Sequence, residues 1–118
     1  MKIPILKRGK ILLTSLQEDL TDRDVIELQE ELLDTIGETG STGLVIDVTA
    51  LESIDTYLSN VLSNTAAMVK VLGCEIVISG IRPNVALTLL EIDSSIKKLN
   101  TALDLEHGIQ MLLQTADS

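Results

Sequence analysis

The sequence contains no phenylalanine and no tryptophan, and Tyr57 is its single aromatic residue. Its core must therefore be built from Leu, Ile, Val, Ala and Met. The same shortage removes the aromatic platforms on which single-stranded bases stack. Basic residues are also scarce: 9 Lys and Arg stand against 18 Asp and Glu, for a formal net charge of −9. That balance opposes nucleic acid and anionic membrane surfaces, and it favours a basic partner. Cys74 is the one cysteine and His107 the one histidine. An intramolecular disulfide and a Cys/His metal site are thereby excluded. No apolar run reaches the ~18 residues of a membrane span, and no leader or transit pattern is read at the N-terminus. The expectation is a cytoplasmic protein that binds neither nucleic acid nor membrane.

Catalytic signatures are missing too. There is no Gly-x-x-x-x-Gly-Lys loop, and Gly37, Gly40 and Gly43 precede a strand, so they read as turns. Ser94-Ser95-Ile96-Lys97 matches Ser-x-x-Lys but lacks its companion motifs. Cys74, at a strand start with no base in reach, reads as a small core residue, and His107 as a packing or surface residue. Glu18-Asp19 with Asp47 has the makings of a divalent-ion site, yet solvated loop charge is the simpler account. These readings predict no enzyme, no cofactor and no metal.

What is present is a globular pattern. The chain has 118 residues, 45% of them apolar, enough for one core spanning 1–118 as a single domain. Two short apolar runs, Ile3 to Lys7 and Lys10 to Leu16, flank Arg8-Gly9 and predict an opening hairpin. Thr21 followed by Asp24 is an acidic capping box, and Val25, Leu28, Leu32 and Ile36 recur on one helical face. Gly37 and Gly40 are expected to end that helix. Val45, Ile46 and Val48 predict a strand, and the apolar positions from Leu58 to Leu72 switch to helical spacing. Gly73 stops this second helix. Cys74 to Ser79 predicts another strand, and Pro83 suits the first turn of a third helix with Val85, Ala86, Leu89 and Leu90 inward. A short edge strand is expected at Ile96 to Leu99, then a last helix from Leu103 to Leu113. The tail from Gln114 is expected to fray. The order β-β-α-β-α-β-α-β-α predicts an α/β fold, in which a small mixed sheet combines the hairpin with parallel strands under helices mainly on one face.

The stretch from Val45 to Ser59 is the centre of this arrangement. It runs from a buried strand through a polar loop to a helix start at Asp55-Thr56. A hydroxyl there is exposed, beside a helix N-terminus that tolerates negative charge. Thr56 is thus a candidate modification site, with Ser53, Asp55, Tyr57 and Ser59 as its neighbours on the loop. The competing account is that Thr56 or Asp55 merely caps the helix. A phospho-receiver is a further alternative, since Glu18-Asp19, Asp47 and Arg82-Pro83 mimic its acids and basic residue. An opening hairpin and too few alternating units count against it.

Four segments carry a resemblance: Ile3-Pro4-Ile5-Leu6-Lys7; Val45 to Thr49 with Ile54-Asp55-Thr56; Gly80-Ile81-Arg82-Pro83-Asn84-Val85-Ala86-Leu87-Thr88-Leu89; and Thr101-Ala102-Leu103-Asp104-Leu105-Glu106. Together they are similar to the anti-sigma-factor antagonists of the STAS domain class, and most nearly to stressosome scaffold proteins. The resemblance runs from about Lys2 to Leu113. It implies the STAS fold and a regulatory phosphate on the hydroxyl after the junction Asp, here Thr56. Scaffold members usually carry Ser at that position, whereas RsbR-type co-scaffolds accept Thr. Asp55, Ser53, Tyr57 and Ser59 would form the surrounding switch loop and partner-binding surface. The implied partners are an RsbT-like switch kinase, an RsbX-like phosphatase, RsbR-type co-scaffold and sensor proteins, and further copies of the chain as dimer and larger shell. The implied role is to sequester the kinase and release it on phosphorylation, controlling a general stress response. A non-switching structural or ligand-binding STAS domain is the alternative.

Overall fold

A computed structural model describes residues 2–92 and 97–116. The chain opens with β1 (Leu6–Arg8) and β2 (Ile11–Ser15), paired antiparallel with Arg8 opposite Ile11. Gly9 and Lys10 make the turn, and Gly9 has φ +59, a conformation glycine adopts without steric cost. Helix α1 (Asp22–Thr39) starts on the predicted capping box. The Thr21 hydroxyl accepts the Asp24 N–H at 3.1 Å, and the Asp24 carboxylate accepts the Thr21 N–H at 3.0 Å. Val25, Leu28, Leu32 and Ile36 are all buried, as their spacing requires. Gly40 ends the helix in the left-handed region, donating its N–H to the Ile36 carbonyl at 2.9 Å. Gly37, expected to share in that stop, lies inside α1. It is exposed, so its weaker propensity costs only about 1 kcal/mol and does not break the helix.

The chain continues through β3 (Gly43–Asp47), α2 (Thr56–Val71), β4 (Glu75–Ser79), α3 (Pro83–Ile92), β5 (Asn100–Ala102) and α4 (Leu105–Ala116). The sheet order is β1-β2-β3-β4-β5, with every pair after the hairpin parallel. One sheet face carries Leu12, Leu44, Ile46, Ile76 and Ile78, and these pack with residues of α1, α2 and α3. The other carries Ile11, Leu13, Val45 and Val77, which pack with Ile109 and Leu112 of α4. Burial on both faces explains why Leu44-Val45-Ile46 and Ile76-Val77-Ile78 are unbroken apolar runs. Helices do lie mainly on one face, and α4 alone covers the back.

Three expectations near the C-terminal end shift, and the first concerns α4, which runs on to Ala116 and does not stop at Leu113. The edge strand is Asn100–Ala102, not Ile96 to Leu99. Ile96, Ser94 and Ser95 lie outside the described residues, while Lys97 and Lys98 form a helical turn. An edge strand with two exposed residues of three gives no apolar run to read. Helix α4 begins at Leu105 rather than Leu103, because the Asp104 carboxylate accepts the His107 N–H at 2.9 Å and caps it. The His107 ring then accepts the Leu103 N–H through Nδ1 at 3.1 Å, a local structural task. Among the described residues no helix is long and apolar enough to cross a membrane.

Candidate functional site

The site is built at the C-terminal ends of β3 and β4. After Asp47 the chain runs irregularly from Val48 to Asp55 before α2 begins. The Val48 N–H still bonds to the Ser79 carbonyl at 2.8 Å, extending the parallel ladder by one step. Leu51 and Ile54 then turn inward and join the main core, so apolar side chains pin the loop from beneath. The Asp47 carboxylate accepts the Ser79 hydroxyl at 2.7 Å and the Thr49 hydroxyl at 3.0 Å. Gly80 lies against this group with φ +74, and a Cβ there would collide with Thr49 Oγ1 and approach Asp47 to 3.0 Å. Only glycine satisfies both the backbone angle and the space.

From above, three polar side chains hold the same loop. Arg82 donates through Nε to the Thr49 carbonyl at 2.9 Å. Asn84 donates to the Glu52 carbonyl at 2.6 Å, and Glu18 accepts the Glu52 N–H at 2.6 Å. Both backbone groups of Glu52 are therefore held, from two different elements. In the sequence, Pro83 reads as a helix start, Arg82-Pro83 as part of the receiver alternative and Gly80 to Asn84 as part of the resemblance, but none of them points to this loop. No spacing rule reveals a side chain that bonds a carbonyl more than thirty residues away.

Asp55 is the N-cap of α2, extended at φ −104 and ψ 174, and its carboxylate accepts the Leu58 N–H at 2.8 Å. The capping task thus falls to Asp55 and leaves Thr56 as the first helical residue, exposed to solvent. Ser53, Asp55 and Tyr57 are exposed beside it. Ser59 is different, being completely buried with an Oγ that has no hydrogen-bond partner among the described residues. It lies three residues before Leu62 and seven before Ala66, on the helix face that meets the core. Its side chain therefore does not belong to the exposed surface expected of it.

A cleft of about 220 Å³ opens next to the junction, between the β2–α1 connection and the loop. Leu16, Leu51 and Leu58 supply its apolar wall, and Glu18, Asp22 and Asp55 its acidic rim. Tyr57 and Ser53 border it as well. This end of the molecule presents these carboxylates, with the exposed Thr56 standing in the chain between the lining residues Asp55 and Tyr57, and it is matched to positive charge. The structure does not join Glu18 and Asp19 to Asp47 in a receiver-like acid pocket. Glu18 is engaged with Glu52, and Asp47 with Ser79 and Thr49. Among the described residues no three His, Cys, Asp or Glu side chains converge to hold a metal ion. Cys74 is buried, and that burial, with the charge of Glu75, pushes its thiol up to about 11. A protonated, inaccessible thiol is a poor nucleophile.

The STAS domain model matches residues 2–113. In sequence, the chain is 27% identical over 90 residues to the RsbT co-antagonist protein RsbRA of Bacillus subtilis (strain 168), covering 76% of this chain. It spans about a third of that relative's length, at 33%. In structure, it superposes on a Moorella thermoacetica RsbS carrying a serine-to-glutamate substitution with a TM-score of 0.92, 36% identity and full coverage of both chains. A chain from the solved molecular architecture of the stressosome, a signal integration and transduction hub, gives a TM-score of 0.87 at 37% identity, over 98% of this chain and 100% of that one. The family model spans nearly the whole chain, and the chain belongs to the STAS domain family.

Proposed function

We propose that this chain is a stressosome component and anti-sigma-factor antagonist. In this reading it binds and sequesters an RsbT-like switch kinase, and phosphorylation of Thr56 releases that kinase. The observation that carries the reading is the placement of Thr56: an exposed hydroxyl on the first helical residue, directly after a cap that frees it from structural duty. The match to RsbS and to the stressosome chain supports it. RsbR-type proteins and further copies of this chain are the proposed assembly partners, and an RsbX-like phosphatase resets the switch.

The electrostatics give the mechanism its direction. A phosphate adds about −1.5 to −2 of charge, here on the residue between Asp55 and Tyr57, which line the cleft together with Glu18 and Asp22. The helix N-terminus tolerates that charge, so the domain itself need not unfold. A docked partner meets it directly, and like charges at an interface can cost several kcal/mol, where about 1.4 kcal/mol is tenfold in affinity. The test is phosphosite mapping by mass spectrometry after incubation with an RsbT-like kinase of the same organism and MgATP. Phosphate on Thr56, lost in Thr56→Ala, is the expected outcome. Phosphate confined to Ser53, or none at all, would leave a scaffold that is not switched here.

A further inference from the structure

We propose that Arg82 and Asn84, at the start of α3, are positioning residues that hold the loop ahead of Thr56 in the form a kinase reads. The inference rests on Thr56 as the phosphate acceptor. It adds a role for a separate helix that contributes no hydroxyl of its own to the modification.

Between Val48 and Asp55 there is no helix or strand to fix the backbone. Leu51 and Ile54 fix its underside through burial, but burial does not orient peptide planes. The outer side is oriented by Arg82 on the Thr49 carbonyl and Asn84 on the Glu52 carbonyl. Pro83 lies between these two residues as the first residue of α3, where its fixed φ presents both neighbours from a stiff base. Glu52 is the last loop residue held by such bonds, and Asp55 begins the capping of α2 three residues later. Glu18 keeps its hold on the Glu52 N–H, so loss of Asn84 frees the Glu52 carbonyl alone and lets the peptide plane between Glu52 and Ser53 turn.

Phosphoryl transfer depends on an in-line placement of the attacking hydroxyl, and small misplacements are costly in rate. The partner must also bind a loop of one shape rather than pay to order several. Arg82 and Asn84 are themselves exposed, and exposed contacts of this kind contribute little to global stability. An effect of their removal on phosphorylation would therefore not be the trivial result of unfolding.

The test compares Asn84→Ala, Asn84→Asp and Arg82→Lys with wild type in the full chain. Asn84→Asp keeps the side-chain shape and removes the donor. Arg82→Lys keeps the charge and removes the planar Nε donor. Three quantities are read: kcat and KM for phosphorylation by the RsbT-like kinase with MgATP, melting temperature, and amide hydrogen exchange at Leu51 and Glu52. The expected result is a fall in kcat of about tenfold in all three variants with KM within about twofold, an unchanged melting temperature, and faster exchange at those amides. Unchanged kcat overturns the proposal. A rise in KM alone also overturns it, making α3 a docking surface instead. Full activity in Arg82→Lys would assign that residue a charge role and remove it from the proposal. If wild type takes no phosphate on Thr56, the modification reading fails by itself. The exchange arm still decides the positioning claim, with faster exchange in the Asn84 variants upholding it and wild-type exchange overturning it.

Discussion

Between β3 and α2 the chain takes the long course from Val48 to Asp55, while between β4 and α3 it crosses from Gly80 to Arg82. Both junctions leave neighbouring parallel strands at the same end of the sheet and lead to helices on the same face. The short one is stiff, with Gly80 at φ +74 in a space that admits no side chain and Pro83 opening the helix. The long one has no helix or strand of its own and leads through exposed Ser53 and Asp55 to exposed Thr56 and Tyr57 at the start of α2. Polar bonds tie the short junction and the residues beside it to the long one and its strand: Ser79 to Asp47, Arg82 to Thr49 and Asn84 to Glu52. The lesson is a division of labour, in which one junction gives up chemistry for rigidity and lends that rigidity to its neighbour.

Breaking the stiff junction has the largest expected effect. Gly80→Ala combines an unfavourable positive φ with a Cβ against Thr49 Oγ1, and should cost about 3 kcal/mol. The measurement is urea unfolding, where the midpoint should fall with the slope unchanged. Loss below about 0.5 kcal/mol would show that the two junctions can separate without strain. The loose junction is less sensitive. Asp55→Ala removes the cap from α2 but leaves Leu51 and Ile54 in place, and should cost about 1 kcal/mol by the same measurement. The smallest effect sharpens the contrast within α2 itself. Ser59→Ala removes a buried hydroxyl that has no partner among the described residues, and should leave stability unchanged or raise the melting temperature by about 2 °C. A loss of more than about 1 kcal/mol would mean that this hydroxyl is satisfied after all.

The parts of the fold legible in the sequence are those that local chemistry decides. Thr21 with Asp24, Asp55 before a helical run, Pro83 at a helix start and Gly40 at a helix end each announce a boundary within a few residues of themselves. Helical periodicity placed Val25, Leu28, Leu32 and Ile36 on the buried face of α1. What stayed hidden depends on distant neighbours. The strand Asn100–Ala102 is a strand because Val77 to Ser79 lies beside it, not because its own residues favour one. Thr56 and Ser59 are both hydroxyls near a helix start, and only the packing of α2 separates the exposed one from the buried one. The helix start at Asp55-Thr56 was legible, whereas the burial of Ser59 and the contacts of Arg82, Asn84 and Gly80 acquire meaning only once β3 and β4 are paired and α2 is packed.

The strand order β1-β2-β3-β4-β5 is also the order of the sequence. Each new strand therefore docks on the one made just before it, and no strand waits for a partner from further along. The longest chain segment that any pairing must close is a single helix with its connections, so the entropy lost at each step stays small. Such a sheet can grow outward from its hairpin edge as the polypeptide is synthesised, with each step completing a surface for the next.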